Sequence, residues 1–143
     1  MAIKNEMRLE FPSRPENVGL ARVAVAAFAT QLDYTLADLE EIKVAVSEAV
    51  TNAIVHGYGG GPEGTVTIRA YLHDDALEVL VEDQGRGIDD VSRALEAGYS
   101  TDPERPGLGF VFMQSFMDRL EVDSAPGRGT RIVMYKLLSR TEQ

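Results

Sequence analysis

Ser47-Glu48-Ala49-Val50-Thr51-Asn52-Ala53-Ile54-Val55-His56-Gly57 is the stretch on which the fold turns. Read as a helix, it places Glu48, Asn52 and His56 at i, i+4 and i+8, a polar stripe running beside an apolar one. A solvated helix face more typically carries Lys/Glu pairs, and taken alone the stripe still admits that reading. A buried side flanked by Glu and Asn calls for something polar above it. Mg²⁺ with its waters suits the place, because it takes oxygen ligands and keeps several waters while bridging phosphates. Asn52 offers a neutral carbonyl oxygen, and Glu48 can accept a proton from an attacking hydroxyl or water.

Working outward, Thr35 followed by Asp38 is a capping box that starts this helix. Its apolar positions Leu39, Ile42, Val46, Ala49 and Ala53 are spaced for burial on a sheet, and Gly57 with Gly59-Gly60-Gly61-Pro62 ends it. Upstream, Met7, Leu9 and Phe11 alternate with charged residues as a first strand closed by Pro12. A helix from Ser13 or Asn17 to about residue 32 follows, with Leu20, Val23, Ala24, Ala27 and Phe28 expected as its core stripe. Downstream, Val66 to Leu72 and Leu77 to Val81 read as a hairpin joined at His73-Asp74-Asp75. A Gly/Asp-rich turn, a short helix over 91–97, a mobile loop over 98–106 and a long helix over 109–118 come next. Two strands, Leu120–Ser124 and Thr130–Leu137, turn at Pro126-Gly127. The order β-α-α-β-β-α-α-β-β predicts an α+β two-layer sandwich over one domain, residues 1–143, with a mixed, mainly antiparallel sheet and helices on one face.

Three further stretches carry chemistry. Asp83-Gln84-Gly85-Arg86-Gly87-Ile88 follows a strong strand; Gly85 and Gly87 allow a flat ligand close to the backbone. Asp83 can accept the exocyclic amine of adenine, although the hexapeptide alone reads equally as an ordinary Asp-Gly turn. Pro106-Gly107-Leu108-Gly109-Phe110 opens a helix whose free N–H groups suit phosphate oxygens, with Ser100, Thr101 and Arg105 before it as a lid. A plain flexible loop accounts for that segment as well. Gly127-Arg128-Gly129-Thr130 enters the last strand, where the Thr130 hydroxyl can sit at the adenine edge; by itself it is a hairpin. It is the order of the four stretches and their placement on the elements that give them weight together.

The bulk properties narrow the class. A chain of 143 residues buries roughly 70% of its unfolded surface and needs no staple. There is no cysteine, which removes disulfides, thiolate metal sites and cysteine nucleophiles together and fits a reducing cytoplasm. The start, Met1-Ala-Ile-Lys-Asn-Glu-Met, has no apolar h-region, so no secretory signal is expected, and the run Val23 to Ala29 is far below the ~20 residues of a membrane span. A net charge of −9 from 23 acidic and 14 basic side chains argues against DNA, RNA or an anionic membrane as direct partner. It permits a basic protein partner, and solubility alone accounts for it too. There is no Walker A pattern, and no His-Arg-Asp loop of the ordinary protein kinases.

The four stretches resemble the N, G1, G2 and G3 boxes of the GHKL ATPases, the superfamily of gyrase, heat-shock ATPases, histidine kinases and mismatch-repair ATPases. Within it the chain is most similar to the bacterial anti-sigma-factor serine kinases of the sporulation type. The residues that carry this are Asn5 to Phe11, Ala21-Arg22-Val23, Gln31-Leu32-Asp33, Val46 to Ile54 with His56-Gly57-Tyr58, and Phe116-Met117-Asp118. The resemblance implies a Bergerat fold that binds ATP or ADP with Mg²⁺. Asn52 would hold the metal, Glu48 would be the catalytic base, and Asp83 would bind the adenine amine. Gly85, Gly87, Gly107 and Gly109 would shape the pocket; Ser100 and Thr101 would close over the phosphates, Arg105 would lie near the γ-phosphate, and Arg22 would lie on the partner-binding surface. The lid departs from the family pattern, being shorter and carrying Asp102 in place of a lysine.

The implied activity is double: a cytoplasmic homodimer that binds and silences a sigma factor, and an ATP-dependent serine kinase that phosphorylates its anti-anti-sigma antagonist. A general-stress-type anti-sigma kinase is the near alternative, and a nucleotide-gated sigma-binding module without catalysis the competing class. Glu48 weighs against the latter, because holding Mg-ATP requires no base. A self-phosphorylating histidine kinase is disfavoured, since His56 lies within the first box and His73 at a hairpin.

Overall fold

A computed structural model describes residues 2–96 and 109–139. Five strands form one sheet: β1 (Asn5–Pro12), β2 (Thr65–Leu72), β3 (Ala76–Asp83), β4 (Arg119–Ala125) and β5 (Gly129–Leu137), in the spatial order β1-β2-β3-β5-β4. All four pairings are antiparallel, so the mixed, mainly antiparallel sheet of the sequence reading is wholly antiparallel here. Between β1 and β2 run α1 (Asn17–Ala29) and α2 (Leu36–Thr51), the latter continuing as a π-helical segment, Asn52–Gly57. Between β3 and β4 lie the short α3 (Val91–Ala94) and α4 (Phe110–Phe116). The long helix expected over 109–118 is thus two turns, stopped where Met117 turns extended to enter β4.

One sheet face carries the core. Val66, Ile68, Ala70 and Leu72 of β2, Leu77, Val79 and Val81 of β3, and Ile132 and Met134 of β5 are buried, each at alternate positions. They meet Ile42, Val46 and Ala49 of α2, which packs between α1 and α4. Alternation is the strand period and fixes which side chains face the helices. The capping box forms as read: Thr35 Oγ1 accepts the Asp38 N–H at 3.0 Å, and the Asp38 carboxylate accepts the Thr35 N–H at 3.3 Å.

The core stripe expected on α1 is displaced. Phe28 is buried, but Leu20 and Val23 stand 51% and 60% exposed and Ala27 is exposed too; the inward face is Ala21, Val25, Phe28 and Ala29. The helix is apolar nearly all round, so periodicity alone leaves its orientation open. Tight approach to α2 favours the alanines. Ser13 does not start the helix. It is fully buried, donates to the Gly61 carbonyl at 2.6 Å and accepts the Gly64 N–H at 3.0 Å, which ties the end of β1 to the glycine-rich loop.

Lys136 breaks the apolar alternation of β5. Its ammonium reaches Glu41 Oε1 at 2.7 Å and the Phe116 carbonyl at 2.6 Å, so a buried charge is paired and hydrogen-bonded rather than stranded. It joins α2, the end of α4 and β5. Tyr34 closes the same end of the sheet, donating to the Lys136 carbonyl and accepting the Leu77 N–H at 3.0 Å. Burial first of all pushes its phenol well above the usual range. Among the described residues no helix is long and apolar enough to cross a membrane.

Candidate nucleotide site

Asp83 is the last residue of β3 and points to the helix side of the sheet, where it is 6% exposed. Its carboxylate accepts the Gly85 N–H at 2.8 Å, and Thr130 is its partner across the β3–β5 ladder. Burial raises its pKa, and the nearby backbone N–H groups of Gly85 and Thr130 only partly offset that. Glycines make the approach possible. A Cβ on Gly57 would stand 2.7 Å from Asp83 Oδ1, one on Gly85 would overlap the Gly57 carbonyl, and one on Gly129 would overlap the Asp83 carbonyl. Gly87 has φ +79°, and a Cβ there would overlap the Ala125 carbonyl.

The loop after Asp83 is held at nearly every backbone donor. Gln84 N–H goes to the Tyr58 hydroxyl at 2.7 Å, Arg86 N–H to the Gly57 carbonyl at 3.0 Å, and Ile88 N–H to Ser124 Oγ at 2.8 Å. Tyr58 in turn donates to the Thr65 carbonyl at 2.7 Å. Asp83, Gly87, Ile88 and Thr130 line one small cavity with Asn52, His56, Gly57 and Phe110. Its volume is ≈10 Å³, the room of about one water.

Glu48 and Asn52 reach this region from above. Asn52 starts the π-helical segment, whose i→i+5 bond is seen where the Tyr58 N–H reaches the Ala53 carbonyl at 3.0 Å. Such widened turns are frequent at functional sites. The sequence reading carries an ordinary helix through to Gly57, and the stripe of Glu48, Asn52 and His56 therefore divides: Asn52 and His56 line the cavity, while Glu48 lines a neighbouring groove. Burial raises the Glu48 carboxyl above its ordinary value. Glu48 packs on the start of α4, where Gly109 is at φ +72° and a Cβ would overlap Glu48 Oε1 and lie 2.9 Å from its Cβ. Only glycine fits there on both counts.

Of the expected site residues, Asn52, Asp83, Gly87 and Thr130 share one cavity, with Gly85 beneath it and Glu48 and Gly109 at its edge. Arg22 is exposed on α1 and lines the groove that ends at Glu48. Ser100, Thr101, Arg105 and Gly107 lie outside the described residues. Ser124 was not singled out by the sequence; its signal is a small polar residue at an inward position of β4, two beyond Val122. No cluster of three or more His, Cys, Asp or Glu side chains suited to a metal occurs among the described residues. A phosphate-bridging Mg²⁺ does not ask for one, needing one or two protein oxygens beside phosphates and waters. The Asn52 amide beside Glu48 is a donor set of that kind.

An antiparallel sheet covered on one face by helices, with a carboxylate in a glycine nest at a strand end, defines a nucleotide-binding domain of the histidine kinase-like class. A family model described as "Histidine kinase-like ATPase domain" matches residues 11–136. Among solved structures, that of the RsbU and RsbW domains of Rv1364c from Mycobacterium tuberculosis superposes with a TM-score of 0.71 at 18% identity, over 98% of this chain and 34% of that one. The mycobacterial sensor histidine kinase MprB gives 0.60 at 21% identity, over 92% and 97%. The sequence relatives are narrower. The anti-sigma F factor of Oceanobacillus iheyensis is 50% identical over 98% of this chain and 97% of its own length. That of Clostridium beijerinckii is 48% identical over 92% and 94%. The chain belongs to the histidine kinase-like ATPase family, on its anti-sigma F factor branch.

Proposed function

We propose that this protein is a cytoplasmic anti-sigma factor that binds a sporulation sigma factor and phosphorylates a serine of an anti-anti-sigma antagonist with Mg-ATP. The observation that carries the reading is the arrangement of Glu48 against Gly109, one helical turn before Asn52, on the rim of the cavity that Asp83 floors.

In this reading Asp83 accepts the adenine amine, with Thr130 beside it, while Gly85 and Gly87 let the base approach the backbone. Asn52 would hold Mg²⁺, whose charge would offset the negative charge that develops in transfer. Ser100, Thr101 and Arg105, outside the described residues, are proposed as the groups that would contact the phosphates, and Gly107 as one that would shape the pocket. Glu48 takes the proton of the incoming serine hydroxyl as its oxygen bonds to the γ-phosphorus and the bond to the β,γ-bridging oxygen breaks, releasing ADP. A carboxyl raised by burial is a stronger base than a solvated one and better matched to this task.

The partner side rests on the groove between α1 and α2. Arg22, Val23, Glu40, Lys43, Val44 and Ser47 line about 480 Å³ of open space that ends at Glu48. Val23 and Val44 leave it an apolar floor, and Arg22 a charged rim. A protein docked there would deliver a serine to the proposed base, and a homodimer with the whole of residues 1–143 as one kinase domain completes the reading.

The test is γ-phosphate transfer from labelled Mg-ATP to the host's anti-anti-sigma protein, beside the Glu48→Gln variant. A general base contributes about 10²–10⁴-fold, so the variant should bind ATP normally and lose transfer by at least the lower figure. Normal transfer by Glu48→Gln would remove the base assignment. Absence of transfer by the unaltered protein, with ATP bound, would leave a nucleotide-gated sigma-binding module.

A further inference from the structure

Ser124 sits on β4 directly across from Thr130, and its hydroxyl has three neighbours. Ile88 N–H approaches at 2.8 Å, the Gly129 carbonyl lies at 2.9 Å, and Thr130 Oγ1 lies at 2.8 Å. A serine hydroxyl has one proton to donate and two lone pairs to accept with. The Ile88 amide can only donate and the Gly129 carbonyl can only accept. All three contacts are therefore satisfied by a single assignment: Ser124 donates to Gly129 and accepts from Ile88 and from the Thr130 hydroxyl. Thr130 spends its proton on Ser124, and its oxygen faces the cavity with lone pairs alone. Asp83, beside it, is an acceptor when ionised. Thr130 is also the direct partner of Asp83 across the β3–β5 ladder, so the two acceptors are held side by side.

From this geometry we infer that Ser124 is a positioning residue for base selection: it fixes the proton of the Thr130 hydroxyl, so that the cavity presents two acceptors and selects a base through its exocyclic amine. The inference rests on the reading that Asp83 meets the adenine amine. An amino group carries two hydrogens and can serve two acceptors, directly or through one water. A base with a carbonyl at that position meets acceptors with an acceptor and is rejected, because buried polar groups left unpaired are costly. Nothing in the Ser124 side chain touches the base itself.

The probe is a pair of Mg-bound nucleotides, ATP and purine riboside triphosphate, which differ only in the 6-amino group. Equilibrium affinities for both are measured on the full chain, and their ratio is the readout. Ser124→Ala releases the Thr130 hydroxyl to rotate and should lower the preference for ATP by about tenfold, the order of one hydrogen bond. Ser124→Thr keeps the hydroxyl and should restore the preference. General loosening of the site weakens both nucleotides alike and leaves the ratio unchanged; that outcome in Ser124→Ala overturns the proposal. Should Ser124→Ala not fold, Ser124→Cys, close in shape and a weak acceptor, serves in its place with the same expectation. Asp83→Asn separates the two layers. Preference lost in Asp83→Asn but kept in Ser124→Ala sinks the positioning role alone, whereas preference kept in Asp83→Asn removes the reading of Asp83 and this proposal with it.

Discussion

Asp83 combines near-complete burial with a negative charge that accepts the Gly85 N–H. Burial penalises the ionised form, so its folded pKa lies above the unfolded one. The sign follows from proton linkage. The folded state holds the proton more tightly, so the group costs stability above the folded pKa, and that cost fades as pH falls towards the unfolded pKa. Asp83→Asn removes the charge and keeps an oxygen for the Gly85 N–H. The nucleotide-free variant should therefore melt higher than the unaltered protein at pH 7, with the difference shrinking towards pH 4. Melting curves across that range check this, and a variant that melts lower at pH 7 would mean that the carboxylate is stabilised in the fold by more than the geometry shows. Function at the expense of stability is the pattern expected of a binding group.

The elements show where the sequence is legible and where it is silent. Thr35 and Asp38 announce the start of α2, and the alternation of Val66, Ile68, Ala70 and Leu72 announces β2, because capping and the strand period are local rules. Asp83 and Thr130, each near a strand end set by such rules, line one cavity with Gly87 of the loop that follows β3. The face of α1 is another matter: Leu20 and Val23 are larger than Ala21 and Ala29, yet the small residues go inward because α2 lies close. The π-helical turn at Asn52 leaves no local mark, and its wide turn is set by contacts at Tyr58 and Gly57 that only the assembled sheet provides. Ser13 likewise finds its partners far along the chain, and Ser124 one of its three, the Ile88 N–H.

Glycine at the element scale has two meanings, and a pair of substitutions separates them. Gly19 lies within α1 with nothing within 4 Å of a Cβ, so Gly19→Ala should raise stability by about 0.5–1 kcal/mol through helix propensity. Gly85 faces backbone atoms of Gly57 that cannot swing aside. Gly85→Ala should lower stability by roughly 1–3 kcal/mol, as overpacking does, and weaken ATP binding in parallel. Denaturant unfolding gives both differences, and equal effects at the two sites would show that the contact of the Asp83 loop with Gly57 is loose.

Across the whole molecule, α2 links two regions. Its outer side lines the α1–α2 groove through Glu40, Lys43, Val44 and Ser47, its next residue is Glu48, and its π-helical continuation lines the Asp83 cavity. A partner seated in the groove thus lies along the same helix that carries the proposed base. The exposed apolar face of α1 extends the groove outward through Leu20 and Val23, and apolar surface rimmed by polar groups is what protein partners cover. Val23 is the sharper probe, being 60% exposed and therefore nearly free of a folding role. Val23→Glu should leave stability within about 0.5 kcal/mol, as at other exposed positions, and leave ATP affinity unchanged. If the groove is the docking surface, the added carboxylate, set in a chain already at −9, should weaken the sigma factor or the antagonist by tenfold or more, the scale of about 1.4 kcal/mol for a central contact. Calorimetric titration of the variant with each partner separates the two, because loss of one interaction alone would show that they dock differently, and full affinity for both would move the partner surface away from α1.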